Sequence, residues 1–299
     1  MKRKGLWILF IIGLVWLSSM PALAEVKVVT TFSVLADLAA QVGGDLVVVE
    51  SIIPPGSDPH HWEPTPREAR MIAGADVVFC NGLGLDVWLD RLIANAAAKV
   101  PVITLSDGLQ ALSYQHQSNH DHLHDNGDSD PHMWLDVAYA MDYVKRIAEV
   151  YSQIDTANAA YYQSRAESYL QQLRELDNWL LEVVAQIPED NRKIITYHNS
   201  FSYFAQRYGL SVEAYLVLNP DREPSVKDMM QLTQLLAAHP RRVMFIEPQA
   251  STGGRYAEAA VYEVGGRIYT LYTDTLTEAV PNYIEMMRWN GNTLLEALK

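Results

Sequence analysis

An apolar stripe between residues 162 and 187 constrains this chain more than any other feature. Tyr162, Ala166, Tyr169, Leu173, Leu176, Leu180, Val183 and Ile187 follow one another in steps of four and three residues. That is the spacing of one face of an α-helix. Asp155 is placed to cap its start and Pro188 to stop it. The sequence therefore predicts one uninterrupted helix over 155–187, roughly 45–50 Å long at a rise of 1.5 Å per residue. Such a face must be laid against other elements. A homodimeric coiled coil would satisfy it, but charge pairing at the flanking positions is thin and the stripe covers only about four heptads.

The alternative is a spine between two lobes, and the flanking chain favours it. Before the helix, strand signals at 26–30, 46–53, 77–80 and 100–105 alternate with helix signals at 33–42, 67–73 and 86–97, and a further helix runs to about 153. After it, strands at 193–197, 212–215, 243–246 and 267–272 alternate with helices at 201–208, 225–238 and 254–264, and a helix over 278–298 closes the chain. Alternation of this kind predicts parallel sheets covered by helices. The run 46–53 is apolar and β-branched, as expected of a strand buried on both faces. The fold expected is α/β: two lobes, 25–154 and 188–299, each with a parallel four-stranded sheet flanked by helices, joined by one long rigid spine helix over 155–187. The halves share no strict sequence repeat; their likeness is one of architecture.

The first 24 residues read as an export signal. Lys2, Arg3 and Lys4 precede an apolar stretch from Leu6 to Leu17, and Ala22-Leu23-Ala24 offers a small-x-small cleavage site before Glu25. The stretch is too short and wrongly flanked for a stable spanning helix, although an uncleaved anchor is the competing reading. No cysteine follows the cleavage point, so the sequence predicts a periplasmic protein released by cleavage after Ala24 rather than a lipid-anchored one. Loss of the three basic residues takes the net charge from −13 to −16. So acidic a chain is a poor partner for nucleic acid or an anionic membrane. Cys80, the only cysteine, excludes an internal disulfide and reads as a small buried apolar residue within Val77-Val78-Phe79-Cys80.

Nine histidines remain to be explained. His116, His120, His122 and His124 lie with Asp121, Asp125 and Asp128 in a polar stretch over 115–129 without periodicity, expected to be a mobile loop. It is either a weak secondary metal site or a solvated insertion. His61 and His239 read as structural. His60 follows the second strand, His198 the first strand of the second half and Asp274 the last strand, while His132 precedes a helix. Ligands in open α/β sheets gather at the carboxyl ends of strands. Three imidazoles and one carboxylate fill a tetrahedral zinc shell, and a nitrogen-rich set favours zinc over manganese.

These residues sit in motifs that resemble a known family. Pro54-Pro55-Gly56-Ser57-Asp58-Pro59-His60-His61-Trp62-Glu63-Pro64-Thr65-Pro66, Asp130-Pro131-His132-Met133-Trp134-Leu135-Asp136, Thr196-Tyr197-His198-Asn199-Ser200-Phe201 and Asp274-Thr275-Leu276 resemble the periplasmic metal-binding proteins of zinc/manganese ABC importers (cluster A-I). Asn81-Gly82-Leu83-Gly84-Leu85 and Arg222-Glu223-Pro224-Ser225 add to the likeness, which spans the whole mature chain in order. The resemblance implies a metal site at His60, His132, His198 and Asp274 between the lobes. It implies Zn²⁺ as cargo, since manganese-selective relatives tend to carry Glu at the position of His198. It also implies delivery to an ABC permease and its ATPase, with no catalysis. A His/Asp-rich loop before the second ligand is typical of zinc members, although this one is short; their disulfide in the second lobe is impossible here. The chain is expected to act as a monomer. The rival readings are manganese or another divalent cargo, a secreted zinc hydrolase using Glu63 or Glu247 as base, and a surface adhesin or sensor on the same fold. No His-Glu-x-x-His motif supports the hydrolase, and a fourth ligand at Asp274 would close the position that catalytic zinc keeps open for water.

Overall fold

The computed structural model describes residues 25–60, 62–96, 99–113, 129–217, 223–250 and 254–299. Strands β1 (Val26–Thr30), β2 (Val47–Ser51), β3 (Val77–Cys80) and β4 (Val102–Thr104) form one parallel sheet in the order β2-β1-β3-β4. Strands β5 (Lys193–His198), β6 (Ser211–Val217), β7 (Val243–Ile246) and β8 (Arg267–Thr270) form a second in the order β6-β5-β7-β8. The pattern is the same in both: the first strand of each half lies between the second and the third. The direction of strand addition reverses at β1 and again at β5, and the crevice beyond the carboxyl ends at such a point is where open sheets bind ligands.

Strand β2 departs from expectation. It pairs with β1 from Val26↔Val47 to Thr30↔Ser51 and has no neighbour on its other side among the described residues. Its residues alternate between half-buried and exposed, with Val48 43 % exposed. An apolar β-branched run reports strand preference, not strand order, and an edge strand is covered less than a central one.

The spine is α5 (Ala159–Ala185), 27 residues and about 40 Å long at 1.5 Å per residue. It is shorter at its start than the stripe suggested. Asp155 does not cap it; a 3-10 turn over Thr156–Asn158 intervenes, and the Asp155 carboxylate accepts from Asn158 Nδ2 at 2.7 Å and from the Tyr162 hydroxyl at 3.0 Å. All eight stripe residues are buried. Helices α1 (Ser33–Gly43), α4 (Val137–Ile154) and α9 (Tyr283–Leu298) of the same chain cover them, which leaves the stripe no face for a coiled-coil partner. A Cβ on Gly291 of α9 would stand 2.8 Å from Trp179 Cζ3 and 2.9 Å from Leu180 Cδ2, so only glycine allows α9 to lie this close to the spine.

The remaining helices are α2 (Pro66–Ala73), α3 (Leu89–Ala96), α6 (Ser202–Tyr208), α7 (Val226–Ala238) and α8 (Gly254–Glu263). Thr65 with Glu68 and Ser225 with Asp228 form capping boxes at α2 and α7. Helix α3 starts three residues later than expected, because Asp86 turns back to accept from the Gly82 N–H at 2.7 Å. Helix α9 likewise begins at Tyr283, with Asn282 capping it.

One hydrophobic cluster runs without a break from the first sheet through α1, α4, α5, α6 and α9 to Val243 and Phe245 of the second sheet. A smaller one fills the opposite face of the second sheet, with Ile195, Leu216 and Met244 packed against α7 and α8. Polar links also cross between the halves. Trp134 Nε1 donates to Thr273 O at 2.7 Å, the Tyr283 hydroxyl to Trp134 O at 2.6 Å, and Leu276 N to Ser33 Oγ at 2.9 Å. A wide hinge motion would have to open this shared core.

Candidate metal centre

Each candidate ligand is fixed by its own stretch of chain. His60 stands in the loop after β2, where Asp58 Oδ1 accepts its backbone N–H at 2.9 Å. That loop is tied across the cleft by Gly56 N, which donates to Thr275 Oγ1 at 2.6 Å and to Leu276 O at 3.1 Å. His132 directly precedes a 3-10 turn, Met133–Leu135. Asp130 Oδ1 accepts its backbone N–H at 3.0 Å and lies 2.7 Å from its ring Nδ1. Pro131 O accepts from Asn81 Nδ2 at 2.9 Å. His198 is the last residue of β5, at the reversal point of the second sheet. Asp274 lies just beyond β8, with its Oδ2 accepting from Gln249 Nε2 at 3.2 Å.

These four stretches bring four side-chain atoms together. The Nε2 atoms of His60 and His132 are 3.2 Å apart, and those of His132 and His198 are 3.3 Å apart. Carboxylate oxygens of Asp274 lie 3.7, 3.5 and 3.6 Å from Nε2 of His60, His132 and His198. Bonds of about 2.0–2.1 Å at tetrahedral angles separate ligand atoms by about 3.3 Å. The set is buried: His132, His198 and Asp274 are 0 % exposed, and the His60 side chain is 8 % exposed. Among the described residues it is the only such group of His, Cys, Asp and Glu.

The surroundings decide which ring atoms face inward. Glu247 Oε1 lies 2.9 Å from His198 Nδ1, as Asp130 Oδ1 lies from His132 Nδ1 at 2.7 Å. A carboxylate on Nδ1 takes that proton in a hydrogen bond and leaves the Nε2 lone pair for a metal. Lone pairs facing one another at 3.2–3.3 Å repel unless a cation lies between them. Burial pushes the His198 pKa down, but the Glu247 charge and hydrogen bond, with Asp274 and Asp58 behind them, raise it to about 9. Burial pushes Asp274 up, yet the close approach of His60 and the charges of the three histidines hold it well below the usual carboxylate range. Both groups are therefore set to meet positive charge. Asp274 Oδ1 and Asp130 Oδ2 are buried without a hydrogen-bond partner among the described residues.

The sequence alone does not single out the groups behind the candidate ligands. Asp58-Pro59-His60 and Asp130-Pro131-His132 are the same tripeptide, and in both the Asp accepts the His N–H. That repetition was the available signal. Glu247, a candidate base in the hydrolase reading, is buried against His198, and Glu63 is exposed. His239 is structural: its Nε2 donates to Lys193 O at 3.0 Å, and its Nδ1 accepts from Arg241 N at 3.3 Å. Cys80 is buried and unbonded to any other cysteine, with its thiol pushed up to about 12, chiefly by burial. The export signal, His61, Arg222 and the loop histidines His116, His120, His122 and His124 lie outside the described residues.

Residues 28–297 match the family described as the periplasmic component A of zinc-uptake complexes. The manganese-binding lipoprotein MntA of Halalkalibacterium halodurans is 31 % identical over 274 residues, covering 91 % of this chain and 88 % of that one. The iron ABC transporter substrate-binding lipoprotein MtsA of Streptococcus pyogenes serotype M1 is 28 % identical over 284 residues, covering 92 % and 89 %. Among solved structures, the periplasmic zinc-binding protein TroA from Treponema pallidum superimposes with a TM-score of 0.79 at 25 % identity, covering 92 % of this chain and 99 % of that one.

Proposed function

The chain belongs to the family of the periplasmic zinc-uptake component A, and from that premise we propose that it captures Zn²⁺ in the periplasm and delivers it to an ABC permease and its ATPase. His60, His132, His198 and Asp274 hold the ion, two from each side of the spine, and no bond of the cargo is made or broken. The observation that carries this reading is the set of ligand-atom separations, 3.2–3.7 Å, which suit one tetrahedral ion. Three nitrogens and one carboxylate favour zinc over manganese, whose preference is for oxygen donors. A manganese or iron cargo is the second reading, supported by the printed names of the relatives. Metal analysis of the purified protein, followed by competition between Zn²⁺ and Mn²⁺, separates the two. A preference for Mn²⁺ would overturn the zinc assignment while leaving metal capture intact.

The protein works as a monomer of two lobes, 25–154 and 188–299, joined by a spine segment over 155–187, and is freed from its export signal by cleavage after Ala24. Mass determination of the secreted form and its elution on a sizing column test both points. The 115–129 stretch is either a weaker secondary zinc site or a solvated insertion. Calorimetry on a deletion of those residues checks this, since unchanged stoichiometry and unchanged transfer to the permease would remove that role.

A further inference from the structure

Helix α6 carries two side chains, one turn apart, that reach out of the second half of the chain into the first. The buried Tyr203 hydroxyl donates to Asp130 O at 2.9 Å and accepts from Leu112 N at 2.8 Å. Arg207 Nε bonds Asp177 Oδ1 of the spine at 3.0 Å and lies 3.5 Å from Asp136 Oδ1. Asp130 and Asp136 are the two ends of the segment that bears His132. Helix α6 itself begins four residues after His198. One short helix thus spans two ligands from opposite sides of the cleft.

The contact at Asp130 matters most for the ion. Asp130 holds both the backbone N–H and the ring Nδ1 of His132, so whatever fixes Asp130 aims His132 Nε2. Its backbone is fixed in two ways: Asp130 N donates to Leu112 O at 2.7 Å, and Tyr203 closes the same pair from the other side. Ser113 and Ser129 pair next to them as an isolated antiparallel bridge. The hydroxyl is therefore the one side-chain atom among those described that bonds both strands of this neck, and it comes from the opposite half.

The geometry points to Tyr203 as a positioning residue for metal capture: through Asp130 it holds His132 in register with His198, so that movement of α6 loosens the first ligand set. This rests on the ligand assignment proposed above. Removing the hydroxyl leaves the ring, which packs edge-on to Tyr139 at 5.7 Å between centroids, and takes away one buried hydrogen-bonding group. Loss of a buried hydrogen bond converts to roughly five- to tenfold in an equilibrium constant.

The test compares wild type with Tyr203→Phe, Asp130→Asn, the double variant, Tyr139→Phe and His198→Ala. The probes are Zn²⁺ release by stopped flow and the visible absorption of bound Co²⁺. Tyr203→Phe is expected to release Zn²⁺ roughly five- to tenfold faster and to alter the Co²⁺ bands, whereas Tyr139→Phe leaves both unchanged. In the double variant the two effects do not multiply, because one acts through the other. Wild-type release and spectrum in Tyr203→Phe, even with a lowered melting temperature, would make the residue merely structural and overturn the proposal. Fully multiplying effects would overturn the route through Asp130. If His198→Ala binds Zn²⁺ as wild type does, the ligand assignment itself fails, which is a separate outcome.

Discussion

Replacing Glu247 by Gln sets two effects of opposite sign against each other, and pH separates them. In the metal-free protein the His198 ring is raised to about 9, because Glu247 more than offsets the burial that would push it down. At pH 7 an incoming ion must expel a proton held about two pH units too tightly, which lowers apparent affinity by about a hundredfold. With the charge gone and the ring near its ordinary value of about 6.5, that competition falls to less than about twofold at pH 7. The same change removes the carboxylate that orients the ring and raises its basicity, a loss that typically weakens metal binding by about 10–100-fold. The two nearly cancel at pH 7. At pH 9 proton competition has faded in both proteins, and wild type should bind about 10–100-fold more tightly than the variant. The assay is competition against a chromophoric chelator from pH 6 to 9, corrected for the chelator's own protonation. Parallel curves for the two proteins, or a wild-type affinity flat from pH 7 to 9, would refute the reasoning.

Further outcomes follow from the same geometry. A ring protonated more readily in the fold than in the unfolded chain stabilises the fold fully below about 6.5 and loses that effect as pH rises through about 9. Thermal melts of the metal-free protein should therefore drop between pH 7 and 9, by about 2 kcal/mol in stability, and metal-loaded protein should not show the drop. Asp274→Ala should weaken Zn²⁺ binding at least about tenfold by calorimetry, since a closed four-ligand shell loses its only anion. A hydrolytic site would instead tolerate the loss as an open water position. Gly291→Ala should cost about 1–3 kcal/mol in denaturant unfolding, because its methyl meets Trp179 and Leu180 of the spine.

The spine, the eight strands and the four candidate ligands were legible because each leaves a local mark. The 4-3 stripe is a matter of period, and the candidate ligands sit beside prolines and aromatics in motifs that stand out. Strand order leaves no such mark, which is why β2 reads as central and lies at the edge. The start of α5 was misread because Asp155 is a good cap by type, but its carboxylate is drawn to Asn158 and Tyr162. The carboxylates behind the ligands were hidden for another reason. Glu247 is 49 residues from His198, and only the parallel pairing of β5 with β7 brings them together. Asp130 was in plain view, two residues from His132, and what was missing was the direction of its side chain.

The smaller of the two apolar clusters has its own consequence. Helices α7 and α8 are held to the second sheet by a separate knot of side chains, so this shell can loosen without dissolving the body that contains the spine. Glu247 and Gln249, which touch His198 and Asp274, sit on the short link from β7 into that shell. Amide exchange should be fastest along this seam. Any protein that grips the shell from outside acquires a lever on half of the candidate ligands while the strut beneath stays still.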